Sequence, residues 1–181
     1  VVLRLDKVWE APVKRYFSVI EHEGRVRLYY AGRPQVACLA ESEDGIHFTR
    51  PDLGLFEYEG SRHNNIIWQR GKAGHNFTPF KDTNPAAPRE QRFKAIGDHP
   101  EGGGLVAFAS PDGIHWSMLQ EERVITRGAF DSQNITFWDE QQGRYVEYHR
   151  GIKTTAPTQG VRGLMTCTST DFLNWTEPQS V

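Results

Sequence analysis

The sequence predicts an all-β chain of repeated four-stranded antiparallel units, and three observations carry that prediction. A short phrase recurs: Ser42-Glu43-Asp44-Gly45-Ile46-His47-Phe48 returns as Ser110-Pro111-Asp112-Gly113-Ile114-His115-Trp116 and, loosened, as Ser169-Thr170-Asp171-Phe172-Leu173-Asn174-Trp175. The Asp residues lie 68 and 59 positions apart, with an aromatic four residues after each. A period of this size marks supersecondary units that hide their apolar faces only against one another. Short runs rich in β-branched and aromatic residues are punctuated by Gly, Pro, Asn and Asp, as strands and turns require. No window carries sustained helical periodicity with caps.

The elements follow in order. In the first unit Tyr16 to Ile20 is a strand, Glu21-His22-Glu23-Gly24 a turn, Arg25 to Ala31 and Val36 to Ala40 the next strands, and Ile46 to Thr49 a fourth. In the second, Asn76 to Phe80, Arg92 to Gly97 and Leu105 to Ala109 are strands. The segment Asp82 to Gln91, rich in Pro and Asn, enlarges the first hairpin, and Gly102-Gly103-Gly104 is a flexible hairpin. It is no phosphate loop, because no strand-to-helix context with Lys-Ser or Lys-Thr follows. In the third, Ile135 to Trp138, Arg144 to Arg150 and Gly163 to Thr168 are strands, with a turn at Asp139 to Gly143.

Four-stranded units repeated about every sixty residues fit propeller blades, whose innermost strands converge on an axis. A β-sandwich supplies strands at the same density but does not predict one turn phrase at one place in each unit. The expected blades are 12–50, 64–118 and 131–177 within a single partial propeller domain. Three blades leave exposed edges, so the expectation is either homo-oligomerisation or missing blades from a longer chain.

The formal charge of -2, with 21 scattered Lys and Arg, argues against a nucleic-acid groove or an anionic membrane surface. Cys38 and Cys167 lack metal-ligand spacing and read as two small buried hydrophobes. Neither a metal site nor a required cofactor is predicted, although an axial ion is compatible with the architecture. Aromatic residues make up 12% of the chain, which suits strands and also suits stacking on a sugar ring.

Several stretches resemble the five-bladed β-propellers of glycoside hydrolases, in particular bacterial relatives of the arabinanase and invertase (levanase) clan. These are Ser42 to Phe48, Gly60 to Ile67, Phe80-Lys81-Asp82-Thr83-Asn84-Pro85 with Arg92-Phe93-Lys94-Ala95, Asp131-Ser132-Gln133-Asn134, and Tyr145 to Arg150. The resemblance covers about the first three blades of that family. It implies a carbohydrate ligand in an axial funnel, carboxylates on innermost strands, and an extracellular or periplasmic setting; composition does not exclude the cytoplasm. The chain departs from the pattern in lacking the invertase-like Asn-Asp-Pro-Asn motif and the arabinanase-like Asp-Pro start. Three readings therefore stay open: a glycoside hydrolase, a non-catalytic partial propeller that binds or assembles, and a general small-molecule binder using His75, Asn76 and Arg150.

Glycosidic cleavage needs one protonated carboxyl and one ionised carboxylate. Asp131, at the expected start of the third innermost strand, is the leading carboxylate, with Glu147 as its partner and Glu10 as a third candidate. His75, Asn76, Asn134, His149 and Arg150 are the expected substrate-binding residues. Strand alternation places Glu147 and His149 on one face and Tyr148 and Arg150 on the other, and Arg150 beside Asp131 would keep it ionised. A polar turn at Asp131, a cross-strand ion pair at Glu147 and a solvated segment at Glu10 are the structural alternatives. Asp82 and Asp139 read as hairpin residues, and Asp44, Asp112, Asp171, His47 and His115 as repeated turn residues.

Overall fold

A computed structural model describes residues 2–10, 16–155 and 159–181; the predicted start of the first unit at residue 12 lies outside them. Among these residues twelve strands form three antiparallel four-stranded sheets, each a meander of consecutive strands. The first contains β1 (Phe17–His22), β2 (Arg25–Ala31), β3 (Ala37–Ser42) and β4 (Ile66–Trp68). The second contains β5 (Thr78–Lys81), β6 (Phe93–Asp98), β7 (Leu105–Ser110) and β8 (Ser117–Met118). The third contains β9 (Ile135–Asp139), β10 (Arg144–Thr155), β11 (Gln159–Ser169) and β12 (Gln179–Ser180). Two short 3-10 turns, Gly71–His75 and Arg89–Gln91, are the only helical elements among the described residues.

The hairpins follow their turn residues. Glu23 and Gly24 lie between the paired His22 and Arg25 with φ of 52° and 74°, the two positive angles that a two-residue hairpin needs to match strand twist. Asp139 accepts from the amides of Gln141 and Gln142 at 2.9 and 3.0 Å to shape the β9–β10 turn. In the recurring phrase Ser and Asp build one capped turn three times. The Asp44 carboxylate accepts from the Ile46 and His47 amides at 2.8 Å, Asp112 from Ile114 and His115 at 2.8 Å, and Asp171 from Leu173 and Asn174 at 2.9 and 2.7 Å. Gly45 and Gly113 supply φ of 73° and 76°; the third turn places Phe172 there at φ 70°. A left-handed Phe is costly, but its ring is fully buried against Tyr145 and Trp175.

One strand departs from the sequence reading. Ile46 to Thr49 makes only a single bridge, Glu41 to Thr49, and the fourth strand of the first sheet is Ile66–Trp68. Pro51 follows the bridge and the chain leaves the sheet, to be drawn back by Asn65, whose side-chain amide donates to the Leu39 carbonyl at 2.6 Å.

The sheets pack side by side around a centre. β1 packs against β5 and β5 against β9, so the first strands of the three units are the inner ones. Tyr29, Leu39, Trp68, Phe77, Phe93 and Phe108 fill the space between the first and second sheets. Ile96, Leu105, Cys167, Tyr145 and Phe172 fill that between the second and third. The far face of the first sheet is covered by the chain itself, through Leu3, Leu5, Trp9, Phe48, Phe56 and Tyr58. This is the radial arrangement of propeller blades.

Candidate functional site

Radial packing brings the segments that lead into the inner strands to one mouth. Tyr16 precedes β1, His75 and Asn76 precede β5, and Phe130 to Gln133 precede β9. The Tyr16 hydroxyl donates to the Asp131 carbonyl at 2.8 Å, and its ring centre lies 5.4 Å from that of His75. Gln133 donates to the Phe17 carbonyl at 3.0 Å. Residues more than fifty positions apart in sequence thereby become neighbours.

Asn76 is the hub. Fully buried, its side-chain nitrogen donates to the Phe130 carbonyl at 2.6 Å, the Asp98 carboxyl at 3.1 Å and the Ser132 carbonyl at 3.4 Å, while its oxygen accepts from the Asp98 amide at 2.9 Å. It is a positioning group rather than a surface for ligand. Its place depends on Gly74, where any Cβ would fall 1.9 Å from the Gln35 carbonyl oxygen.

Two carboxyl groups face the mouth in contrasting surroundings. Asp131 is 63% exposed and ion-paired with Arg150. Asp98, at the end of β6, is half-buried; burial and the Asp131 charge push its carboxyl above the ordinary range, against partial opposition from the Asn76 hydrogen bond, His75 and Lys72. One carboxyl is inclined to hold its proton beside another that is paired with a cation. Asp98 is the residue that sequence reasoning missed, since it ends a strand outside any recurring phrase. His75 is half-buried, and its Nε2 is buried with no hydrogen-bond partner among the described residues.

The remaining candidates are elsewhere. Glu10 is fully buried beside the first sheet's far face, gripped by Arg50 at 2.7 Å, by the Tyr30 hydroxyl at 2.5 Å and by the amides of Asp6 and Lys7 at 3.1 and 3.0 Å. Burial alone would raise its carboxyl, but these hydrogen bonds outweigh burial and hold it below the usual range. It anchors the segment before β1, which corrects its placement as a funnel residue. Glu147 and His149 do share a face, but that face packs against the second sheet, and their side chains are fully buried. Burial raises the Glu147 carboxyl, partly offset by His149, whose Nδ1 lies 2.6 Å from its Oε2. Burial likewise pushes the neighbouring Cys167 thiol up. Asn134 is also fully buried, donating to the Phe130 carbonyl at 3.4 Å. Glu10, Glu147, His149 and Asn134 are thus fully buried, whereas Asp131 is exposed and Arg150 and His75 are partly so.

Asp82 is structural in a stronger sense than a hairpin turn. Its carboxylate is fully buried, paired with Lys94 and accepting from the Tyr145 hydroxyl at 2.8 Å, so it ties the second sheet to the third. A surface cavity of about 410 Å³ lined by Arg127, Leu164, Met165 and Gln179 lies at the outer edge of the third sheet, and none of the mouth residues lines it.

No protein-family model matches the sequence, and no curated protein matches it. Solved structures do. A glycosyl hydrolase from Bacteroides ovatus shares 13% identity with a TM-score of 0.53, the match covering 94% of this chain and 52% of that one. A fructofuranosidase from Schwanniomyces occidentalis complexed with fructosylnystose shares 15% identity with a TM-score of 0.61, covering 96% and 35%. An exo-inulinase from Aspergillus awamori shares 14% identity with a TM-score of 0.57, covering 96% and 40%. The chain thus spans about half or less of these proteins' lengths. Three radially packed four-stranded sheets, matched over nearly their whole extent, give this chain the propeller-like fold of these glycoside hydrolases, in part.

Proposed function

We propose that the chain binds a glycoside across the axial mouth and hydrolyses it with Asp98 and Asp131. The observation that supports this most is the electrostatic inequality of the two carboxyls: burial and a neighbouring negative charge favour the protonated form of Asp98, while Arg150 pairs with Asp131. Glycosidic cleavage needs such a division of labour. Asp98 donates a proton to the leaving oxygen, and Asp131 acts as the ionised carboxylate. His75 and Arg150 supply hydrogen bonds to sugar hydroxyls, and Tyr16 a ring face. Fructose-containing oligosaccharides are the first substrates to try, followed by arabino-oligosaccharides.

The test is a glycoside panel assayed with the wild-type chain, Asp98→Asn and Asp131→Asn, with circular dichroism to verify folding. Loss of a positioned acid or base lowers turnover by about 10²–10⁴-fold, so either variant drops at least a hundredfold. Full turnover by a folded Asp131→Asn chain refutes the assignment.

A second reading, a non-catalytic module for binding or assembly, is favoured by one observation. On the third sheet's face away from the second, Ile135, Phe137 and Leu164 are 49%, 39% and 46% exposed. A further blade or a second copy of the chain would cover them. Sedimentation of the purified chain separates these: self-association at micromolar concentration supports coverage by a second copy, and a stable monomer opposes it.

A further inference from the structure

The face of the third sheet that packs against the second carries an unusual row. Thr136, Glu147 and Cys167 stand opposite one another on β9, β10 and β11 in register, and His149 follows Glu147 by two residues on the same face. One ligand atom from each of Glu147, His149 and Cys167 lies within 4.8 Å of the others, and all three residues are buried. The Cys167 Sγ is 3.5 Å from Glu147 Oε2, which is 2.6 Å from His149 Nδ1. Ligand atoms of a tetrahedral zinc ion stand about 3.3–3.6 Å apart; the Sγ–Oε2 separation already fits, and Nδ1 and Oε2 must part by about 0.7 Å to admit the ion.

Two independent features point to an occupant. Glu147 Oε1 is fully buried and has no hydrogen-bond partner among the described residues. Thr136 Oγ1 on the same face, and Asn134 Oδ1 just before β9, are orphaned in the same way. Such unclaimed oxygens are costly in a protein interior. The other feature is the far side of the imidazole: His149 Nε2 lies 3.0 Å from the Arg127 carbonyl oxygen, an acceptor only, so Nε2 carries hydrogen. That is the outer hydrogen bond which fixes the tautomer of a metal-bound histidine and leaves Nδ1 to the ion. Gly128 closes the loop over this ring, where any Cβ would fall 2.3 Å from Nε2.

We propose that Glu147, His149 and Cys167 bind a thiophilic divalent cation, Zn2+ in the first instance, with Thr136 or Asn134 supplying a further oxygen. The charges balance. Bound as one thiolate, one carboxylate and a neutral imidazole, the three ligands bring two negative charges to the dication. A neutral cluster suits a buried site. The ion would clamp β9, β10 and β11 just behind Arg150 and the loop carrying Asp131, as a structural rather than a reacting metal. Ion binding at this place requires no hydrolytic activity of the chain.

The test is titration of the chelator-treated wild-type chain with Co2+, then Zn2+. One ion per chain is expected, with a thiolate-to-cobalt charge-transfer band that is bleached by Zn2+, kept in Cys38→Ser and lost in Cys167→Ser. At free Zn2+ about 100 times Kd the melting temperature rises by roughly 5–10 °C. X-ray absorption on the zinc-loaded wild-type chain, which needs no variant to fold, reads one sulfur at about 2.3 Å and nitrogen or oxygen at about 2.0–2.1 Å. Absence of a thiolate band, a band that survives in Cys167→Ser or disappears in Cys38→Ser, or a shell without sulfur overturns the proposal.

Discussion

Changing Asp82 to Asn removes the negative half of a buried pair whose side chains are 0% and 2% exposed, Asp82 and Lys94. The Lys94 ammonium lies 5.4 Å from the Tyr145 ring centre and 5.8 Å from that of Phe172, so two aromatic faces remain around the cation but no counter-charge does. Breaking a buried pair on one side costs about 3–5 kcal/mol, because the surviving charge stays desolvated. With a urea slope of about 2–3 kcal/mol/M, the midpoint of unfolding falls by about 1–2.5 M, read from tryptophan fluorescence. Lys94→Met costs a similar amount. The double variant Asp82→Asn/Lys94→Met, with no stranded charge, costs less than either single change by at least about 1 kcal/mol. Strict additivity of the two single changes would refute the claim that this pair is a coupled bridge between sheets.

Glu10→Gln should lower stability by about 2–4 kcal/mol, because Arg50, 19% exposed, keeps only the exposed Asp6 at 3.4 Å as counter-charge, yet leave any saccharide affinity of the folded chain unchanged; loss of affinity without loss of stability would return Glu10 to the site. Gly74→Ala drives a methyl into the Gln35 backbone and should cost about 3 kcal/mol, against about 1 kcal/mol for Gly143→Ala, where φ is 62° and the space is open; equal midpoints in urea would contradict the packing at Gly74. The turn hydrogen bonds outweigh burial at Asp112 and lower its carboxyl to about 2, so its contribution is complete above its ordinary pKa near 4 and is lost as pH falls towards 2. Asp112→Asn should therefore flatten the stability profile between about pH 4 and pH 2, and an unchanged acid limb would contradict that turn geometry.

The fold was readable because its grammar is local and repeated. Ser and Asp of the recurring phrase cap the same turn at the ends of β3, β7 and β11, and a signal confined to seven residues survives in the sequence. The position of β4 was not readable, because its return depends on Asn65 reaching Leu39 after a long excursion. Alternation likewise paired Glu147 with His149 correctly but carried no information on whether their face met the axis or the neighbouring sheet. Glu10 misled for a similar reason: its partner Arg50 is forty residues away. Asp98 was invisible, since it becomes special only when Asn76 and Asp131 arrive from other strands.

The central claim is convergence of the three inner strands on one ligand-binding mouth, and amide chemical-shift mapping of the labelled chain with fructo- and arabino-oligosaccharides tests it most directly. Saturable shifts are expected together at Tyr16, His75, Asp98, Asp131 and Arg150, with the Glu10 neighbourhood silent. Shifts confined to one sheet's outer surface, or none with any saccharide in the panel, would contradict it.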